Sequence, residues 1–117
     1  MTPDLPHFPT GFFWDRQGRP IADFMDWALK FEDASYRVVA VDTIGGFTVS
    51  TVWTGIDAGA VITGRTPMIF ETAVFDDASD NVIEGEKSTS EDAALEGHCV
   101  YVARTHAGML DARNGHV

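Results

Sequence analysis

"VVAVDTIGGFTVSTVW", running from Val38 to Trp53, decides the fold. Two arms rich in valine, threonine and isoleucine flank the pair Gly45-Gly46, and a two-residue hairpin turn needs positive backbone angles that glycine adopts without strain. Such a turn sets the register: Ile44 lies opposite Phe47, Asp42 opposite Val49, Ala40 opposite Thr51 and Val38 opposite Trp53. Side chains alternate along a strand, so Val38, Ala40, Ile44, Phe47, Val49 and Trp53 are expected on the core side. The other face then carries Arg37, Val39, Val41, Thr43, Thr48, Ser50, Val52 and Thr54, too apolar to be left fully wet and too rich in hydroxyls for a dedicated core. A face of this kind calls for a cover, supplied by the proline-bearing N-terminal segment, the 55–67 loop, a partner protein or a second copy in a two-fold homodimer.

Outward from the hairpin, apolar residues recur at helical spacing in Phe24, Trp27, Ala28 and Phe31, which predicts a helix over 21–32 after a turn at Asp15 to Gly18. Met68 to Phe75 reads as a further strand whose inward face the pattern leaves open. Between them lies a long loop, 55–67, of glycine and small residues. The acidic stretch 76–87 reads as loop with a short strand near Val82-Ile83. A second helix is expected over 90–106, with Thr89 or Ser90 as N-cap and Leu95, Cys99 and Val102 as its core ridge. Gly97 inside that helix costs up to about 1 kcal/mol relative to alanine. Trp27 and Trp53 are expected in the core and Trp14 partly accessible. The fold class is therefore α+β, an antiparallel sheet of three or more strands with two helices packed on one face. Residues 1–117 are read as a single domain, with 1–10 and 107–117 as flexible or draping tails.

Composition narrows the function. Eight Lys and Arg against eighteen Asp and Glu give a net charge of −10. The surplus is concentrated in Asp76, Asp77, Asp80, Glu84, Glu86, Glu91, Asp92 and Glu96, with Lys87 the only base among them. Such a surface repels phosphate backbones and argues against direct nucleic-acid binding. It fits a basic partner surface, or imitates nucleic acid in front of one. No apolar run approaches the length of a membrane span, and the N-terminus lacks a basic, cleavable leader, so the expected location is the cytoplasm. The single cysteine, Cys99, excludes an intramolecular disulfide and a Cys-rich zinc site.

Little in the sequence has the spacing that catalysis requires. Gly45-Gly46 is not a nucleotide-binding loop. His98 and His106 stand roughly 80° apart around one helix and make a poor metal pair. Neighbours on a helix diverge by about 100°, so Cys99 and His98 do not form a nucleophile pair; His98 is read as a boundary histidine and Cys99 as core. Arg37, Ser50 and Glu71 could meet as a polar cluster on the open sheet face. The candidate binding residues are thus Arg37, Val41, Ser50, Val52 and Glu71, with no catalytic residue, metal or cofactor assigned.

The segments "FWDRQGRPI", "WA", "YRVVAVDTIGGFTVSTVWTGID", "PMIFETAVF" and "TSEDAALEGH" occur in this order over about residues 12–98. The set resembles a family of small uncharacterised proteins common in phages and prophages of actinobacteria and related bacteria. Ala58 stands where members of that family often carry a histidine. The resemblance implies a virus-encoded accessory protein outside the virion and brings no catalytic residues with it. The expected function is a small acidic protein–protein interaction module for host takeover or counter-defence. Its partner would be a host or phage protein, or a second copy, in the cytoplasm of the infected bacterial cell. The alternatives are a small-ligand-binding protein or enzyme using the polar cluster, and an acidic nucleic-acid mimic.

Overall fold

The computed structural model describes residues 12–108, so the expectations for 1–10 and for nearly all of 107–117 lie outside the described residues. The glycine turn forms with φ of +52° at Gly45 and +90° at Gly46, and joins β3 (Val38–Ile44) to β4 (Phe47–Trp53). Two positive φ values give the hairpin turn whose twist matches that of its strands. The register is the expected one from Ile44 opposite Phe47 back to Ala40 opposite Thr51. It then shifts, and Val38 lies opposite Val52 instead of Trp53. One extra residue at this bulge turns Val39 toward the core, where it packs on the Trp53 cluster, and puts Val38 on the other face.

The strand begins later than expected because Ala34–Arg37 form a helical turn, α2, capped by the Asp33 carboxylate on the Ser35 amide. Before it, α1 (Phe24–Glu32) begins three residues beyond the predicted Ile21 and is capped by Asp23, whose carboxylate accepts from the Met25 amide. Ile21 belongs to β2 (Pro20–Ile21), which pairs with β1 (Phe13–Trp14) in a small hairpin of its own.

On the far side of β4 lies β5 (Phe70–Asp76), paired so that Val49 meets Val74 and Trp53 meets Phe70. Beyond it β6 (Asn81–Ser88) completes a four-stranded antiparallel meander, β3-β4-β5-β6. The acidic stretch is therefore largely strand. Glu84 is held there by Arg104 at 3.0 Å, and pairing with β5 overrides the weak strand propensity of Glu84, Gly85, Glu86 and Lys87.

The last helix, α4 (Glu91–His106), starts at Ser90, whose hydroxyl accepts from the Ala93 amide. Glu91 and Asp92 occupy its first turn and Arg104 and His106 its last, as the helix dipole favours. It packs across all four strands. Its inward ridge is Ala94, His98, Tyr101 and Thr105, not the predicted Leu95, Cys99 and Val102: Leu95 and Cys99 are exposed and Val102 is half-buried. The helix is rotated so that His98 reaches hydrogen-bond partners in the sheet, while Thr105 donates to the helix's own Tyr101 carbonyl.

Two clusters make the core. One joins Phe13, Ile21, Trp53, Ile69, Phe70 and Ala94 beneath α1; the other joins Val49, Val74 and Tyr101 beneath the C-terminal half of α4. Above the first runs an aromatic stack, Phe13 on Trp27 at 5.0 Å and Trp27 on Phe31 at 5.1 Å. Trp53 is fully buried and donates from its indole to the Trp14 carbonyl at 3.0 Å. Trp27 is only half-buried, because α1 rests on the N-terminal hairpin and the end of the sheet with its outer side in solvent; Trp14 is half-buried as expected. Both major helices thus share one face of the main sheet. No helix among the described residues is long and apolar enough to cross a membrane.

Candidate functional site

Two features of this architecture carry polar or exposed groups that the core does not need. The first lies between α4 and the sheet. From the inward side of α4, His98 reaches two strands: its Nε2 is 2.7 Å from Asp42 Oδ2 on β3 and its Nδ1 is 2.8 Å from Thr51 Oγ1 on β4. Thr51 is in turn 2.7 Å from the hydroxyl of Thr72 on β5. A neutral imidazole protonated on Nε2 satisfies the whole chain: Nε2–H donates to the carboxylate, Thr51 donates to Nδ1 and Thr72 donates to Thr51.

The order carboxylate, imidazole, hydroxyl is that of an activated nucleophile. The surroundings are not. Thr51 and Thr72 have no exposed surface and His98 is 4% exposed, so no substrate atom reaches the hydroxyls. The chain ties α4 to three strands and satisfies buried polar groups that would otherwise be costly.

The second feature is the opposite face of the sheet. Its rows run Val38, Val52, Glu71, Lys87, then Val41, Ser50, Ala73, Gly85, then Thr43, Thr48, Phe75, Val82. Neither core cluster includes any of these residues. Val41 is 52% and Val82 59% exposed; Val52, Ala73 and Phe75 are half-buried by their neighbours.

Four of the five predicted binding residues are brought together here: Val41 lies opposite Ser50 and Val52 opposite Glu71. Arg37 is not among them. It ends α2, donates to the Phe31 carbonyl and stacks its guanidinium 5.3 Å from the Phe31 ring, so the Arg37–Ser50–Glu71 cluster does not form. The base beside Glu71 is Lys87, its cross-strand neighbour on β6.

The 55–67 loop folds on a single side chain. Asp57 caps α3 (Ala58–Thr63) through the Ala60 amide, accepts from the Met68 amide at 2.8 Å and pairs with Arg65 at 2.7 Å. Burial pushes this carboxyl up, but the Met68 and Ala60 amides and the Arg65 guanidinium outweigh it and hold it below the usual carboxylate range. The loop is thereby closed on itself rather than laid over the sheet. Its tip exposes Ile62 at 83%.

Positive charge elsewhere is committed internally: Arg16 to Glu91, Arg19 to Asp15, Lys30 to Asp26 and Arg104 to Glu84. Arg16 lies at 2.6 Å from Glu91 and also donates to the Tyr36 carbonyl, which bolts the first hairpin to the start of α4 and the end of α2. The charge left to the surface is negative. Among the described residues no group of three or more histidine, cysteine or acidic side chains is arranged to hold a metal ion.

Reading the sequence missed the histidine chain. Its signal lay in the hairpin register, which puts Asp42 and Thr51 on the inward face where alternation calls for apolar residues. No protein-family model, curated protein or solved structure matches the chain.

Proposed function

We propose that the protein is a small acidic protein–protein interaction module that binds its partner through the open face of the β3-β4-β5-β6 sheet. The supporting observation is that this face carries Val41, Val52, Ala73, Phe75 and Val82 with no described helix packed on it, while α1 and α4 share the other side. A contiguous, partly apolar surface rimmed by polar groups is the usual form of a docking site. The enzyme alternative rested on the Arg37–Ser50–Glu71 cluster, which does not form, and the hydroxyls of the histidine chain are sealed from solvent. In the setting that the phage-family resemblance implies, the module is an accessory protein acting on a host or phage protein in the cytoplasm of an infected bacterium.

The test is affinity capture from bacterial lysate with the wild-type chain and with a Val52→Lys/Ala73→Lys variant, both checked for the same circular dichroism and melting temperature. The reading expects a partner retained by the wild type and reduced at least about tenfold by the variant, a loss of ~1.4 kcal/mol. Equal retention by both chains would remove the open face from the account.

A further inference from the structure

The two edges of the sheet differ. The β6 edge carries Glu84, Glu86 and Lys87, has Gly85 at its middle and is broken by a register shift at Val74/Phe75. Charges and bulges of this kind keep strands from adding to an edge. The β3 edge is bulged only at its start, between Val38 and Ala40; from Ala40 to Ile44 it runs regularly with no lysine, no proline and one charge, Asp42.

Among the described residues its outward backbone groups are also without partners. Ile44 and Phe47 flank the two-residue turn and exchange hydrogen bonds, so by alternation Asp42 and Ala40 bond to β4 while Val41 and Thr43 turn their N–H and C=O groups outward. The same alternation appears on the other side of the hairpin, where the Thr54 amide donates to Ile69 at 2.8 Å and the Asp77 amide to Gly46 at 2.9 Å. No described residue bonds the outward groups of Val41 and Thr43.

We propose that the β3 edge docks an extended basic segment of a partner protein, which adds to the sheet as a strand with a lysine or arginine beside Asp42. The proposal rests on the interaction reading above and adds the partner's chemistry to it. Strand addition draws affinity from main-chain bonds and specificity from the alternating side chains. On the open face the added strand continues the rows of Val41 and Thr43, which favours β-branched apolar residues there. On the other face it meets Asp42, whose side chain is 55% exposed and uses only Oδ2 on His98.

A second copy is the poorer occupant. Over the regular stretch of β3 beyond the bulge, Ala40 to Ile44, the antiparallel register of greatest self-overlap is centred on Asp42 and sets the two carboxylates against each other. Each copy also brings a net charge of −10. A basic residue at the same place turns that repulsion into an ion pair.

The probes are two synthetic peptides, one alternating valine with lysine and one alternating valine with glutamate, mixed with the full chain at physiological ionic strength. The lysine peptide should bind saturably, slow hydrogen exchange at the Val41 and Thr43 amides at least tenfold, and bind at least tenfold more weakly to Asp42→Asn. The glutamate peptide should not bind. Val41→Pro and Thr43→Pro, made separately, each remove an outward donor without touching a β3–β4 bond, and each should weaken the lysine peptide while circular dichroism stays that of the wild type.

Equal binding of both peptides, or binding of the lysine peptide with unchanged exchange at Val41 and Thr43, overturns the proposal. So does slow exchange at these two amides without peptide that quickens on dilution, which would assign the edge to a second copy. In the lysate capture, retention by Val41→Pro alongside loss by Val52→Lys/Ala73→Lys sinks the edge and leaves the face standing. Retention by both variants sinks both.

Discussion

Gly55 shows how closely single atoms are fitted at the end of the sheet. It sits at φ +70°, and a Cβ there would lie 2.6 Å from Trp53 Cε2 and 2.8 Å from Trp27 Nε1. Gly55→Ala combines a left-handed backbone penalty with overpacking against two indoles and should cost about 2–4 kcal/mol, read by urea denaturation. Gly97 is the opposite case. An added Cβ meets only the end of the Glu86 side chain, which is exposed and can swing away. Gly97→Ala should therefore be neutral or stabilise by up to about 1 kcal/mol from helix propensity, and a clear loss of stability would mean that the Glu86 carboxylate is fixed there. Trp53→Ala empties a fully buried site and should cost about 3–5 kcal/mol. His98→Leu removes the acceptor of the buried Thr51 hydroxyl, leaving it only its bond with Thr72, and should cost about 1–3 kcal/mol, part of which returns in the double variant His98→Leu/Thr51→Val. Full additivity of the two changes would show that the Thr51–His98 bond contributes nothing.

At the scale of elements, the strength of each local signal decided what could be read. The β3–β4 hairpin was legible to the residue because two glycines and an alternating pattern agree; only its start escaped, since nothing in "YRVV" announces a bulge. The α4 helix was legible in extent and cap but not in orientation. Its ridge of Leu95, Cys99 and Val102 looked right on hydrophobicity, and the partners that turn His98 and Thr105 inward are the strands and the helix's own Tyr101 carbonyl, at 2.7 Å from Thr105. Of β6 only the part near Val82-Ile83 was legible; the rest was hidden because acids and glycine satisfy the pairing of a strand without resembling one. Of the candidate site, Val41, Ser50 and Val52 followed from register; the face of Glu71 was left open by its strand pattern and is set by the β4–β5 pairing, and Arg37 was lost when α2 replaced the first residues of the strand.

The α3 loop makes a pH prediction at this same scale. The folded Asp57 carboxyl lies below the ordinary carboxylate range, so its contribution is fully present above that range, near pH 4, and disappears as the pH falls through the depressed folded value. Hydrogen exchange at the Met68 amide should quicken across that acid window and should already be fast at neutral pH in Asp57→Asn, where the Arg65 pair is gone.

The whole molecule is a one-sided sandwich. Among the described residues the two major helices, the aromatic stack and the buried histidine chain lie on one side of the sheet, and the other side is left with mainly valine, threonine, alanine and phenylalanine side chains. Internal ion pairs absorb most of the described bases, so the chain presents a negative surface around that face. A partner recognised in this way should be captured more slowly as salt rises, because screening weakens long-range attraction before it touches the apolar contact. The most direct measurement of the account is methyl NMR of the chain titrated with the partner recovered from lysate. The account predicts shifts at Val41, Val52 and Val82, with Leu95, Val100 and Ile62 unmoved. Shifts confined to Leu95 and Val100 on the outer side of α4, or to Ile62 on α3, would contradict it.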